Sequence, residues 1–435
     1  MSASRNIPLF IAFRVLFNAR FYYPVLGVLF VDLGLSLEQY SLLNVAWAVS
    51  IVVLEIPSGA LADVIGRQRM VVLAAVLMVA EMMLFAFAPT GQPALLFLML
   101  LLNRILSGAA EAAASGADEA LAYDSLPAKD REVSWPRVLE RLMRWQSGAF
   151  FVAMITGALL YDPTVVRQVA AALGSNWTPE PGEMVRWPVN LTLLTSLACL
   201  AVALSMCEPA AKTKMATGGA TTARRALCNI RDGALVVLKG RRILLVLLVA
   251  LCCDSVVRLF LTLESNYLRL IAIPEFLFGV IGSSLALLGF IAAPISRRMV
   301  ARLSAPVNFG VVIVLVLIGL VGAAFGMPLW GVWVILPLGL AMDGLMFFVS
   351  HYLNLWARPE VRATVLSFRG VALNLAYGAV GVLFAGLAAR VREVAPAATD
   401  NELFGQTLIW LPFLFVAALA AAGVVAIFSR RLSVS

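Results

Sequence analysis

Charge is scarce in this chain: Asp, Glu, Lys and Arg make up only 13% of its 435 residues, against 62% hydrophobic residues. A water-soluble fold has no use for that much apolar surface, so the composition excludes a soluble globular protein and points to an all-α integral membrane protein with the bilayer as its solvent. There is a single histidine, His351, which excludes a His-rich metal cluster. No Gly-rich loop ending in Gly-Lys-Ser/Thr is present, so ATP-driven pumping is disfavoured and uphill transport would draw on a gradient. The five cysteines, Cys199, Cys207, Cys228, Cys252 and Cys253, fall in apolar segments or in a central basic loop and form no disulfide framework. There is no isolated h-region with a small-residue cleavage site, so the apolar run from Pro8 reads as a retained spanning helix. No cofactor and no nucleic-acid partner is expected; the formal charge of +8 arises from Lys and Arg gathered in the loops of one membrane side.

Twelve apolar runs are long enough to span, at 8–31, 39–61, 70–89, 94–121, 138–161, 187–207, 242–266, 275–298, 306–326, 328–356, 361–390 and 404–429. Six lie on each side of the loop 208–241, which predicts two six-helix bundles, 1–207 and 242–435. That loop carries Lys212, Lys214, Arg224, Arg225, Arg231, Lys239, Arg241 and Arg242 against Glu208 and Asp232. With the N-terminus inside, the opposite side holds only Arg167, Arg186, Arg269, Arg390 and Arg392, so both termini are expected in the cytoplasm. Ala226, Leu227, Ile230, Ala234, Val237 and Leu238 recur at helical spacing between arginines, which predicts an amphipathic helix along the inner leaflet; a calmodulin-like partner is the alternative reading. A flexible Gly/Thr-rich connector, Ala216 to Thr222, precedes it. The Asn176-Trp177-Thr178 sequon carries no weight in a bacterial protein, and the compact loops suggest a bacterial inner membrane.

Between the second and third runs stands Gly59-Ala60-Leu61-Ala62-Asp63-Val64-Ile65-Gly66-Arg67-Gln68-Arg69. Gly59 permits close helix approach, Gly66 can take the turn, and Asp63 can cap or pair at a helix end while the arginines sit among headgroups. This hinge resembles the loop between the second and third helices of the major facilitator superfamily. Arg104-Ile-Leu-Ser-Gly108 resembles that superfamily's Arg-x-x-x-Gly element, and Glu55-Ile-Pro-Ser-Gly59, Gly116 to Leu126 and Arg362 to Ser367 resemble further landmarks. The resemblance implies a twelve-helix fold of two pseudo-symmetric six-helix bundles, and a monomer. It departs in the fifth run, where Gly148 and Gly157 stand without a proline, and around Ser296 to Arg302, where Arg297 and Arg298 remain without the glycines and aspartate.

Ionisable residues inside spans are costly and are functional candidates, with interhelical ion pairs as the alternative. The resemblance implies that the first, fourth, seventh and tenth spans line the transport cavity. In the first, Arg14 and Asn18 lie at i and i+4 and share a face with Phe21 and Tyr22, suited to an anionic or zwitterionic ligand with apolar parts; a structural pair between Arg14 and Glu55 or another carboxylate is the alternative. Arg20 points to a different side. In the fourth, Arg104, Gly108 and Glu111 form one stripe, with Glu111 as proton carrier and Arg104 controlling it, or the two forming a static clamp. Asp254 and Arg258 in the seventh span, with Thr262 one turn on, and Asp343 with Phe347 in the tenth complete the substrate or cation candidates. Glu81 and Arg369 are expected to be structural. Gly59, Asp63, Gly66, Arg67 and Arg69 are expected to gate, with Asp63 pairing across the halves when the inside is shut.

These features point to a secondary transporter that exports a small amphipathic compound with proton coupling. Uptake of an organic anion is the runner-up, and a receptor or a membrane-embedded enzyme built around His351, Tyr352 and Asn354 is the alternative of another class.

Overall fold

The computed structural model describes residues 5–127, 129, 131–175, 177, 181–208, 240–356 and 362–432. Residues 209–239 of the linker, with the connector and the amphipathic stretch, lie outside the described residues, as do Asn176 and Thr178. The regular elements are all helical, as the lack of backbone partners in lipid requires. They are α1 Asn6–Asn18, α2 Leu26–Asp32, α3 Leu37–Ile65, α4 Arg67–Ala86, α5 Pro93–Ala114, α6 Ala117–Asp124, α7 Arg131–Tyr161, α8 Pro163–Ala172, α9 Pro181–Met184 and α10 Trp187–Leu204. The chain continues with α11 Arg241–Thr262, α12 Glu264–Leu270, α13 Phe278–Arg302, α14 Ala305–Ala324, α15 Ile335–Trp356, α16 Arg362–Val394, α17 Asp400–Leu408 and α18 Leu411–Leu432.

Among the described residues, eleven helices are long and apolar enough to cross a membrane, and a twelfth is added if Arg137–Tyr161 and Pro163–Ala172 count as one span bent by 86°. The bend has a local cause. Pro163 cannot continue α7, and Asp162 restarts the helix by accepting from the backbone N–H of Thr164 at 2.8 Å.

Several runs expected to be continuous are broken. The first span stops at Asn18, runs irregularly to Tyr22, and resumes through a 3-10 turn, Tyr23–Val25, that contains Pro24. Pro24 has no backbone donor, so no α-helical bond can form from it to the Arg20 carbonyl. The fourth span turns at Ser115 and Gly116 before α6, the seventh stops at Thr262, and the twelfth divides between α17 and α18.

The described residues fall into two compact units. One draws on Met1–Leu35, Ala46–Ala226 and Glu275–Ser283; the other on Ser36–Val45, Leu227–Pro274 and Ser284–Ser435. In the first unit, Phe10, Phe13 and Phe17 of α1 pack with Met70, Ala74 and Met78 of α4, Ala110 and Ala113 of α5, and Cys199 and Ala203 of α10. The alanines let helix backbones approach closely, which is how helices associate where lipid offers no hydrophobic drive. In the second unit α11 is the most enclosed span, with 72% of its apolar window buried. A charge in the middle of α11 must therefore find its counter-charge inside the protein.

Candidate functional site

In the first unit the charges of α1 and its break are held by carboxylates. Arg14 reaches Asp118 at 2.6 Å and Glu119 at 3.2 Å, both in the first turn of α6, where the helix N-terminus favours acidic groups. Asn18 donates back to the Arg14 carbonyl at 2.8 Å. The carboxylate partner of Arg14 thus comes from the Gly116 to Leu126 element, while Glu55 is exposed on α3.

Phe21 and Tyr22 are not brought onto the Arg14 face, because helical spacing ends at Asn18. The Phe21 N–H donates to Thr192 at 3.0 Å. Tyr22 turns inward against Phe85 and accepts from Arg20 at 3.0 Å. Arg20 forms an ion pair with Glu81 of α4, and the two side chains are 1% and 0% exposed. Asn103 of α5 donates to the Glu81 carbonyl at 2.7 Å and closes the cluster.

On α5 the Arg104 guanidinium lies 5.2 Å from the Phe30 ring centroid. Glu111 stands two turns further on, about 10 Å along the axis at helical rise. Among the described residues the Glu111 side chain forms neither a hydrogen bond nor an ion pair, so the static Arg104/Glu111 clamp is not formed. The charges that act on Glu111 are those of Arg20, Glu81 and Arg14.

At the hinge, Gly66 caps α4 with φ of 97°. A Cβ there would also meet the Glu208 Oε2 at 3.3 Å, while the Gln68 N–H donates to the same oxygen at 2.8 Å. Gly66→Ala is therefore expected to lower stability by about 1–2 kcal/mol, the cost of a left-handed non-glycine residue; an unchanged thermal unfolding curve would contradict this. Arg67 pairs with Asp124 and donates to the Ala120 carbonyl at 3.0 Å. Arg69 is exposed, and the side chain of Asp63 lies outside the described residues. Gly59 does not mediate a close helix contact: a Cβ added there meets nothing within 4 Å. At the same end Asn6 ties Ser125 (2.8 Å) to the Cys207 carbonyl (2.7 Å).

In the second unit, Asp254 and Arg258 of α11 form an ion pair at 2.6 Å, with side-chain exposures of 0% and 24%. Arg258 also donates to Asn374 of α16 at 2.9 Å and lies 5.3 Å from the Tyr377 ring centroid. Thr262 and Tyr377 share a hydrogen bond at 3.2 Å, and Tyr40 donates to the Thr262 carbonyl at 2.9 Å. Arg369 of α16 acts electrostatically on Asp254 and donates to the Met346 thioether at 3.6 Å. Asp343 stands elsewhere, near Gly289 of α13, and Phe347 packs edge-on against Phe348. His351 is exposed and edge-on to Tyr352.

Asp118 and Glu119 lie within the Gly116 to Leu126 landmark, where the sequence alone gives them no role, and Asn374, Tyr377 and Tyr40 are not among the sequence candidates. Asn374 and Tyr377 carry a usable signal, since they are polar residues three apart in an apolar run, but neither bears a formal charge.

Membrane-crossing helices with paired charges held inside them define a polytopic membrane protein, and the family match makes it a transporter, not an enzyme. The Major Facilitator Superfamily profile matches residues 9–379, and the chain belongs to that family of transporters. The crystal structure of the nucleoside transporter NupG is similar to this chain with a TM-score of 0.72 at 12% identity, covering 98% of this chain and 99% of that one. A bacterial homologue of the human lysosomal transporter Spinster, in an inward-facing and unoccupied conformation, gives 0.68 at 17% identity over 99% and 97% of the two chains. The D-xylose-proton symporter gives 0.64 at 12% identity over 95% and 97%. At these identities the likeness shows the fold alone. No curated protein matches the sequence.

Proposed function

We propose that this chain is a proton-coupled secondary active transporter that exports a small amphipathic organic compound across a bacterial inner membrane, working as a monomer with both termini in the cytoplasm. Residues 1–207 and 242–435 are the halves that rock in alternating access. Glu111 carries the coupling proton. The supporting observation is that Glu111 lies half-buried within a span without a partner among the described residues, while Arg14 and Arg20 are already matched to Asp118 and Glu81. A carboxylate so placed can exchange its proton as its surroundings change without first breaking an ion pair. Arg104, on the same helix stripe, tunes it. The export direction is supported by the likeness of Arg104 to Gly108 to the superfamily element linked to proton coupling. The hinge gates: Arg67 must release Asp124 and the Ala120 carbonyl for the ends of α4 and α6 to part.

The test is flux in liposomes carrying an internal pH dye, with tetraphenylphosphonium, benzoate and phenylalanine as solutes. At least one is expected to move against a counterflow of protons, and Glu111→Gln is expected to reduce that proton flux tenfold or more. Solute and protons moving in the same direction would overturn export. Proton flux unchanged by Glu111→Gln would overturn the role of Glu111.

A further inference from the structure

Resting on the reading of this chain as a transporter of an amphipathic compound, we propose that the second unit holds an oxyanion site in which Arg258 and Arg369 bind the carboxylate, phosphate or sulfonate group of the solute. The argument starts from charge. Asp254 is fully enclosed on α11, and two guanidinium groups act on it, Arg258 from its own helix and Arg369 from α16. Two cations around one carboxylate leave one positive charge unmatched, which a monoanion would balance.

The two arginines are held differently. Arg258 is fixed by Asp254, by the Asn374 side-chain oxygen at 2.9 Å and by the Tyr377 ring, and Tyr377 is itself tied to Thr262. Arg369 has a fork of five donors, yet its one acceptor among the described residues is the thioether of Met346 at 3.6 Å. A thioether is a weak acceptor, and a half-buried guanidinium inside a span needs an oxyanion or a cavity to offset its desolvation. The planar fork matches a carboxylate, phosphate or sulfonate through two parallel hydrogen bonds.

Met346 lies against the Arg369 guanidinium and Tyr377 against that of Arg258, and both side chains can offer apolar contact to the body of such a solute. A cationic ligand would meet the unmatched positive charge. Asp343 stands by Gly289 of α13 and Glu264 lies on α12, and Asp254 is the one carboxylate among the described residues that acts on Arg369. If the arginines served only to fix helix packing, Arg369 would be expected to meet a carboxylate or a carbonyl in place of a sulfur.

The experiment is thermal unfolding of the purified full-length protein with five compounds that share a phenylethyl body. They are 3-phenylpropionate, 2-phenylethyl phosphate, 2-phenylethanesulfonate, 2-phenylethylammonium and 2-phenylethanol. At least one anion is expected to raise the unfolding temperature in a saturable way, with the ammonium and alcohol compounds inactive. Arg369→Gln strands only a thioether and is expected to weaken the apparent affinity for that anion roughly tenfold or more. Arg369→Lys, which keeps the charge and loses the fork, is expected to weaken it several-fold and serves where the glutamine variant does not fold. Stabilisation by the ammonium or alcohol compound equal to that by the anions, no stabilisation by any of the five, or anion binding unchanged in both Arg369 variants would each overturn the site. This experiment reads binding and not proton movement, so its failure is distinct from failure of the Glu111 test.

Discussion

Glu81→Gln is expected to destabilise the protein by about 3–5 kcal/mol, because it leaves the Arg20 guanidinium charged and enclosed without its carboxylate. The Arg20 and Glu81 side chains are 1% and 0% exposed, so solvent does not screen the loss. Relief from elsewhere is limited. Tyr22 already accepts from the Arg20 Nη1, and the Nε and Nη2 atoms have no hydrogen-bond partner. Replacing both members with methionine removes both charges together and is expected to recover most of the deficit, since an enclosed ion pair contributes little net stability over apolar packing. Unfolding in mixed micelles, followed for Glu81→Met, Arg20→Met and the double variant, would check this. Additive losses in the double variant would show that the pair is not the relevant unit.

Gly157→Val is expected to cost about 3 kcal/mol or more, and Gly157→Ala is expected to be damaging as well. A Cβ at this position of α7 would overlap the carbonyl oxygen of Phe21. The neighbour is backbone, in the irregular stretch that joins α1 to the turn at Pro24, so it cannot rotate aside as a side chain would. That stretch is further pinned by the Phe21 N–H bond to Thr192. Gly148→Ala on the same helix is the control, since a Cβ there meets nothing within 4 Å, and its effect is expected to stay within about 0.5 kcal/mol. The yield of monodisperse protein and its thermal unfolding would separate the two positions; equal behaviour would show that the Phe21 contact does not constrain α7.

Both expectations depend on contacts that the linear pattern does not express. Glu81 reads as an isolated carboxylate in the third span, and Arg20 reads as a charge on the wrong side of the first. They meet because α1 ends at Asn18 and the irregular stretch before the turn at Pro24 carries Arg20 inward toward α4. Gly157 reads as one of two glycines in a run that lacks a proline, and only the approach of the Phe21 carbonyl explains why glycine is required there. Arg14 was legible as a charge that needs a partner. Which carboxylate it meets was not, since Asp118 and Glu119 lie more than a hundred residues away on a helix that starts after the turn at Gly116.

The sequence by itself determined that this chain crosses a membrane as helices and belongs with the major facilitator transporters. Hydropathy acts over windows of about 20 residues, and the hinge from Gly59 to Arg69 is a local string, so both can be read without a fold. The i to i+4 pairing of Asp254 with Arg258 was legible for the same reason, because it needs only helical geometry. Which charges compensate one another between helices was decided by the tertiary structure alone. A buried charge in low dielectric is stabilised by whatever counter-charge lies within a few ångströms, and that distance is set by helix breaks and small-residue contacts rather than by separation along the chain. Hence Arg20 is matched to Glu81, Arg14 to Asp118, and Arg258 to Asn374 as well as Asp254, while Glu111 remains without a partner among the described residues.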